Sequence, residues 1–222
     1  MPETWRFDPA QNAWLQLAPT PDVRIGSTAA GYNNAIYVFG GRDGFTPCST
    51  SAKQTILRYD IDRDTWSPAG TMAVPRSDAT AAEIGGRIYV AGGCDGGSSF
   101  HDTVEVYNPR RQTSTLLSAT MPGGGRANPA TAVDEFSEHE IHVTGGWRPS
   151  GVGTDVQPNH VVLDVDKRTF SIGTTMPTHC PPGAARAEHE LVYHPGALFA
   201  VAGACPAFGT SIANLDVLKM SP

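Results

Sequence analysis

What this chain of 222 residues has little of narrows its class first. Charged residues make up only 17% and the formal net charge is -6, and no basic tract runs along it. A general nucleic-acid binder needs such a tract to follow phosphates, so that class is set aside. No stretch approaches 18 apolar residues, the length a membrane-spanning helix requires. The first ten residues, MPETWRFDPA, lack the positive start and apolar run of a signal peptide. The expectation is a cytoplasmic or otherwise intracellular protein whose four cysteines stay reduced. No CxxC or HxxxH pair offers metal-ligand spacing. No window sustains a 3.6-residue apolar period, and 24 glycines and 18 prolines punctuate the chain, so helix should be nearly absent. A single all-β domain of this length buries roughly 70% of its unfolded surface and needs no metal or disulfide staple.

What is present is a repeat. Four apolar runs end in a pair of small residues: IYVFGG, IYVAGG, IHVTGG and LFAVAGA, with the first small residue of each step at Gly40, Gly92, Gly145 and Gly203, 52, 53 and 58 residues apart. A second marker follows each step or precedes the first, as Phe7 and Trp14, Tyr59 and Trp66, Tyr107 and Ser114, and Leu163 and Phe170 stand seven apart. The turns between them, DPAQN, DIDRD, NPRRQ and DVDKR, begin on Asp or Asn, which bond their own backbone and start turns, so each pair reads as a hairpin. A third marker is the Thr-Met step at Met72, Met121 and Met176, followed each time by a Pro-containing loop and an arginine. Three markers sharing one period indicate a repeat architecture.

The pattern resembles the kelch repeat over nearly the whole chain. In a kelch blade a di-glycine ends the second strand, an aromatic sits on the third and a tryptophan on the fourth, matching Gly40-Gly41, Tyr59 and Trp66. Ser114 and Phe170 depart from the tryptophan, Leu163 from the aromatic, and Ala204 from the second glycine. The resemblance implies an all-β propeller of about four blades, each of four antiparallel strands a to d, in one domain, residues 1–222. The repeats run over about 24–72, 76–121, 126–176 and 186–220, with a c–d pair at 1–19. The glycines of the steps are expected where a neighbouring backbone comes close. Both ends offer a c strand, which leaves three closures open: a four-bladed ring closed by strands from both termini, part of a larger propeller, or completion by a second copy.

The candidate site follows from the arginines. Arg24, Arg76, Arg126 and Arg186 each precede strand a, 16, 16, 19 and 17 residues before the glycine step, so all four should reach one face. Arg42 and Arg148 join them from the b–c loops. Six guanidiniums would make an anion site, since each offers a planar fork of donors to carboxylate or phosphate. On the other reading the arginines cap loop carbonyls or pair with Asp22, Asp43, Asp78 and Asp95. Phe45, Phe100, Trp147 and Phe208 among these charges favour an interface. In kelch proteins the face of b–c and d–a loops commonly binds a protein segment or another ligand. The resemblance therefore implies a binding face of Arg24, Arg76, Arg126 and Arg186 with Arg42, Asp43, Cys94, Asp95, Trp147 and Arg148.

A protein segment or acidic peptide is the expected partner, with a small anionic ligand as the alternative and self-association through unpaired end strands as a further contact. No cofactor and no metal are expected. Cys94 and Cys205 follow their glycine steps alike and could face each other across a four-bladed channel, near His101, His179 or Cys180, but without ligand spacing a metal or a disulfide is not assigned. Asp60, Asp62 and Asp64 lack the glycine and glutamate of a calcium loop. Gly123 to Gly125 lack the Lys-Ser/Thr of a phosphate loop. Asp134, Glu138 and His142 have helical spacing inside an a–b hairpin, where residues four apart on a strand are about 13 Å apart, which argues against a shared metal. The competing class is a kelch-type enzyme, sugar epimerase-like or metal-dependent, in which His101 with Asp102, or His179, would move protons.

Overall fold

The computed structural model describes residues 2–46, 48, 51–97, 99–134, 136–137, 139–150, 153–157, 159–176, 187–195, 197–205, 210–211 and 215–219. Among these residues there is no helix, and so none long and apolar enough to cross a membrane.

β1 (Thr4–Asp8) and β2 (Ala13–Leu17) pair as a two-stranded ribbon. β3 (Thr28–Tyr32), β4 (Ala35–Phe39), β5 (Thr55–Asp60) and β6 (Thr65–Thr71) form a four-stranded antiparallel sheet in chain order. β7 (Ser77–Ile84), β8 (Arg87–Cys94), β9 (Thr103–Asn108) and β10 (Thr113–Thr120) form the next. The third consists of β11 (Ala130–Val133), β12 (Glu140–Thr144), β15 (His160–Asp164) and β16 (Thr169–Ile172), with a separate ribbon, β13 (Trp147–Ser150) and β14 (Gly153–Val156), rising from its b–c loop. The fourth holds β17 (Glu190–His194), β18 (Ala197–Val201) and β21 (Leu215–Lys219), with β19 (Ala204–Cys205) and β20 (Thr210–Ser211) as a short ribbon in its loop. The repeated meander is thus as the markers indicate, while the two loop ribbons were not anticipated.

Each marker has a packing reason. The residues seven apart face each other directly across the outer hairpins, Phe7 opposite Trp14, Tyr59 opposite Trp66, Tyr107 opposite Ser114 and Leu163 opposite Phe170. At the glycine step, a Cβ on Gly40 would collide with the Arg76 carbonyl oxygen, and one on Gly92 would meet the Arg126 carbonyl at 2.7 Å. Both glycines also have positive φ, 61° and 69°, so they are required by close approach and by conformation alike. The methionines of the third marker sit beneath them, with the Met72 and Met121 methyl groups 3.0 and 3.7 Å from those same Cβ positions.

The core lies in slabs between consecutive sheets. Tyr37, Phe39, Ile56 and Met72 of the first sheet pack on Ile88, Val90 and Tyr107 of the second. The alternate residues Tyr89, Ala91 and Val104 pack on Ile141, Val143, Val161 and Leu163 of the third, and Ala130, Ala132 and Met176 meet Leu191, Leu198 and Ala200 of the fourth. A strand covered on both faces reads as a continuous apolar run rather than an alternating one, which explains IYVA in β8.

The closing blade with strands from both termini does not form among the described residues. β1 pairs with β2 alone, and β21 occupies the c position beside β18. Consecutive sheets pack in chain order through their first strands, β3 on β7, β7 on β11 and β11 on β17.

Candidate ligand-binding face

The d–a and b–c loops meet at one end of the sheets. Isolated bridges join Ile25 to Arg42 and Ala127 to Trp147 across them. The a–b and c–d turns occupy the opposite end, where Arg110 donates from Nε to the Tyr32 hydroxyl at 3.0 Å.

Four of the six arginines are consumed by the fold. Arg24 donates through Nη1 to the carbonyls of Gly40 and Thr55, each at 2.9 Å, and through Nε to Asp22 at 2.7 Å. Arg76 repeats this one blade on, with Nη1 to Gly92 at 2.6 Å and to Thr103 at 3.2 Å, and Nη2 to the Thr103 hydroxyl at 2.7 Å. Arg126 donates to the carbonyls of Pro122 and Gly145 at 2.6 and 3.4 Å. Arg76 and Arg126 are 1% and 0% exposed, and burial pulls both guanidinium pKa values down to about 10. Of the two readings for these side chains, carbonyl capping describes their placement: each stitches its d–a loop to the glycine end of strand b. Arg186 lies outside the described residues, as do His179, Cys180 and Phe208.

Arg42 is buried as well, its Nη1 bonded to the Asp78 carboxylate and its Nε donating to Gly44 at 3.0 Å. Asp78 also accepts from the Ser77 hydroxyl at 3.1 Å. Above this pair Cys94 is joined to Cys48 by a disulfide with Cα atoms 5.5 Å apart. The expectation of reduced cysteines is therefore corrected for these two. The partner of Cys94 is not its periodic equivalent Cys205 but a residue of the long first b–c loop, which reaches across to the end of β8. The metal-like grouping of Cys48, Asp78 and Cys94 is closed by this bond. The side chain of Cys205 lies outside the described residues.

The remaining candidates lie nearer the surface. Asp43 is exposed and pairs with Lys53 at 2.7 Å. Asp95 accepts from the Gly97 amide at 2.9 Å within its own turn. Trp147 packs on Phe100 with ring centroids 5.4 Å apart, and Arg148 donates to the Gly123 carbonyl at 2.9 Å. Phe45, 89% exposed, is the most exposed large apolar side chain among the described residues. The proton-transfer candidate His101 is tied by Nε2 to the Pro75 carbonyl at 3.2 Å, and burial, then the charge of Arg76, holds its pKa below the usual value.

One set of residues escaped the sequence reading. Two positions after each arginine the backbone is left-handed, at Gly26 (φ 65°), Asp78 (56°), Asn128 (50°) and Glu188 (56°). There the amide of Asp78 donates to Gly26, that of Asn128 to Asp78 and that of Glu188 to Asn128, at 2.7, 2.6 and 3.4 Å. The signal was the constant offset from the arginine, hidden because four different residue types occupy it. A second correction concerns Asp134 and His142. They lie on opposite sides of the β11–β12 turn, so the separation along a strand does not apply, and their ligating atoms come within 4.8 Å of each other and of Glu140, while Glu138 lies outside the described residues.

Comparison with known proteins agrees with this fold. The profile of the KLHDC2/KLHL20/DRC7 Kelch-repeats domain matches residues 1–203. Human Kelch-like protein 33 is 28% identical over 52% of this chain and 21% of its own. The F-box/kelch-repeat protein At1g26930 of Arabidopsis thaliana is 28% identical over 79% of this chain and 39% of its own. The chain thus spans between about a fifth and two fifths of the length of these relatives. Among solved structures, one described as the structure of YjhT superimposes with a TM-score of 0.70 at 18% identity, covering 93% of this chain and 68% of that one, a likeness of fold. With the repeat markers, the stacked four-stranded sheets and a matching profile over most of its length, this chain belongs to the kelch-repeat family.

Proposed function

We propose that the chain is a binding module that recognises a protein segment on the face of its b–c and d–a loops. The observation that carries this reading is Phe45, 89% exposed on a loop that the Cys48–Cys94 bond fastens to the neighbouring blade. A large apolar side chain held out on a tethered loop has little freedom left to lose on binding, which is the property of an interface anchor. Arg24, Arg42, Arg76 and Arg126 are buried or bonded within the fold, and we assign cationic recognition of an acidic segment to Arg148, which is only half-buried, with Arg186 as a further candidate. The exposed apolar side chain of Phe45 favours a peptide over a small anion, because an anion offers nothing for it to pack against.

A displayed peptide library panned on the immobilised chain tests this. Selected peptides should lose at least about tenfold in affinity to Phe45→Ala, as an anchor residue does, and weaken with added salt through Arg148. Phe136→Ala, on the opposite face, should leave them unchanged. Equal binding by wild type and Phe45→Ala, or equal loss with Phe136→Ala, would sink the assignment.

A further inference from the structure

At the a–b turn of the third blade, away from the peptide face, a different chemistry is assembled. Glu140 and His142 alternate with Ile141 along β12 and so share the face turned from the second blade. Asp134 returns beside them because its amide donates to the Glu140 carbonyl at 3.1 Å. Asp134 Oδ1 accepts from the Phe136 and Ser137 amides at 2.8 and 3.2 Å, and the Tyr193 hydroxyl of the fourth blade also bonds its carboxyl. Burial pushes this carboxyl up, but those bonds outweigh it and hold it below the usual range.

The imidazole of His142 is 1% exposed. Its Nδ1 is 2.9 Å from His160 Nε2, and its Nε2 has no hydrogen-bond partner. The tautomers follow from the chain of bonds. The Thr174 backbone favours a proton on His160; with that proton on Nδ1, the nitrogen away from His142, Nε2 carries the lone pair. His142 Nδ1 must then carry its proton, leaving Nε2 as a bare lone pair. A buried nitrogen in that state forfeits its solvation without return. It is also the state of a metal-bound histidine, whose second ring nitrogen is held by an outer partner that fixes the tautomer.

We propose that Asp134, Glu140 and His142 bind a divalent transition-metal ion of the zinc type. The set supplies a ring nitrogen of His142 and one oxygen from each carboxylate, already within 4.8 Å of one another, and Nε2 is the nitrogen left without a hydrogen-bond partner. One imidazole with two carboxylates suits zinc and its neighbours better than magnesium or calcium, which take oxygen throughout. Three protein ligands leave a coordination position for water or an outside donor. His160 acts as a positioning residue.

Chelator-stripped protein titrated with Co²⁺ alone, read by visible absorption and calorimetry, tests the site. One Co²⁺ per chain is expected, displaced by Zn²⁺, with affinity lowered roughly 10–100-fold in Glu140→Gln and Asp134→Asn. Glu140 is half-buried, so Glu140→Gln should melt like wild type in the metal-free state and report binding alone. Absence of Co²⁺ and Zn²⁺ binding, or binding unaltered in both variants, overturns the proposal.

Discussion

Arg76 and Arg148 are both arginines of the same face, yet their environments assign them different work. Arg76 is buried with Glu105 3.7 Å away and caps two carbonyls; Arg76→Ala strands those acceptors and a buried carboxylate. Urea unfolding should register a loss on the order of 3–5 kcal/mol, while Arg148→Ala should stay within about 0.5 kcal/mol. His101 supplies a pH test. Its folded pKa is lowered by burial and by Arg76, with Asp95 and Asp102 opposing, so below about pH 6.5 the unfolded chain binds more protons than the folded one. His101 should therefore contribute a fall in stability as pH drops through that window, of at most about 1.4 kcal/mol per unit, beside the buried His142 and His160, and His101→Gln should remove its share of the slope. The positions of these side chains were legible and their roles were not. A regular spacing shows that Arg24, Arg76 and Arg126 occupy equivalent places, but whether a guanidinium turns outward or onto a carbonyl depends on the glycine end of the neighbouring strand.

Among the elements, the outer hairpins were the most legible, because residues seven apart across a short polar turn can scarcely be anything but opposed. The ribbon β13–β14 was hidden. Pro149 and Gly153 weaken strand propensity, and its pairing is with itself and not with any blade, so the repeat carries no trace of it. The tether of the first b–c loop was hidden, because Cys48 has no periodic counterpart and the repeat gave Cys94 no assigned partner. A bond closing 46 residues removes unfolded-chain entropy worth on the order of 4 kcal/mol. Reduction by a dithiol should lower stability by about that amount and expose the loop around Phe45 to proteolysis. Cys48→Ser should show the same lowered stability whether or not the reductant is added.

At the scale of the whole molecule, exposed apolar side chains gather on the first and on the last described sheets. On the first, Trp5, Phe7 and Trp14 are 48, 43 and 66% exposed, although the equivalent Tyr59 is 2% exposed inside a full blade. On the last, Val192 and Val201 are 53 and 41% exposed. We propose that apolar faces of this kind take a further sheet, here from a second copy. Sedimentation velocity over a concentration series should find reversible self-association that Trp14→Lys suppresses; a monomer throughout counts against it.

The handover of amides from Gly26 to Asp78, Asn128 and Glu188 has a bearing on how these sheets come apart. Every joint uses the same donor and acceptor from the next repeat, and among the described residues no bond runs from Glu188 back to Gly26. Among the described residues this cohesion is therefore passed from neighbour to neighbour, as in a linear array. Such an array frays inward from its extremities. Deuterium should enter the outermost sheets first and reach the amides of Asp78 and Asn128, at the middle joints, last.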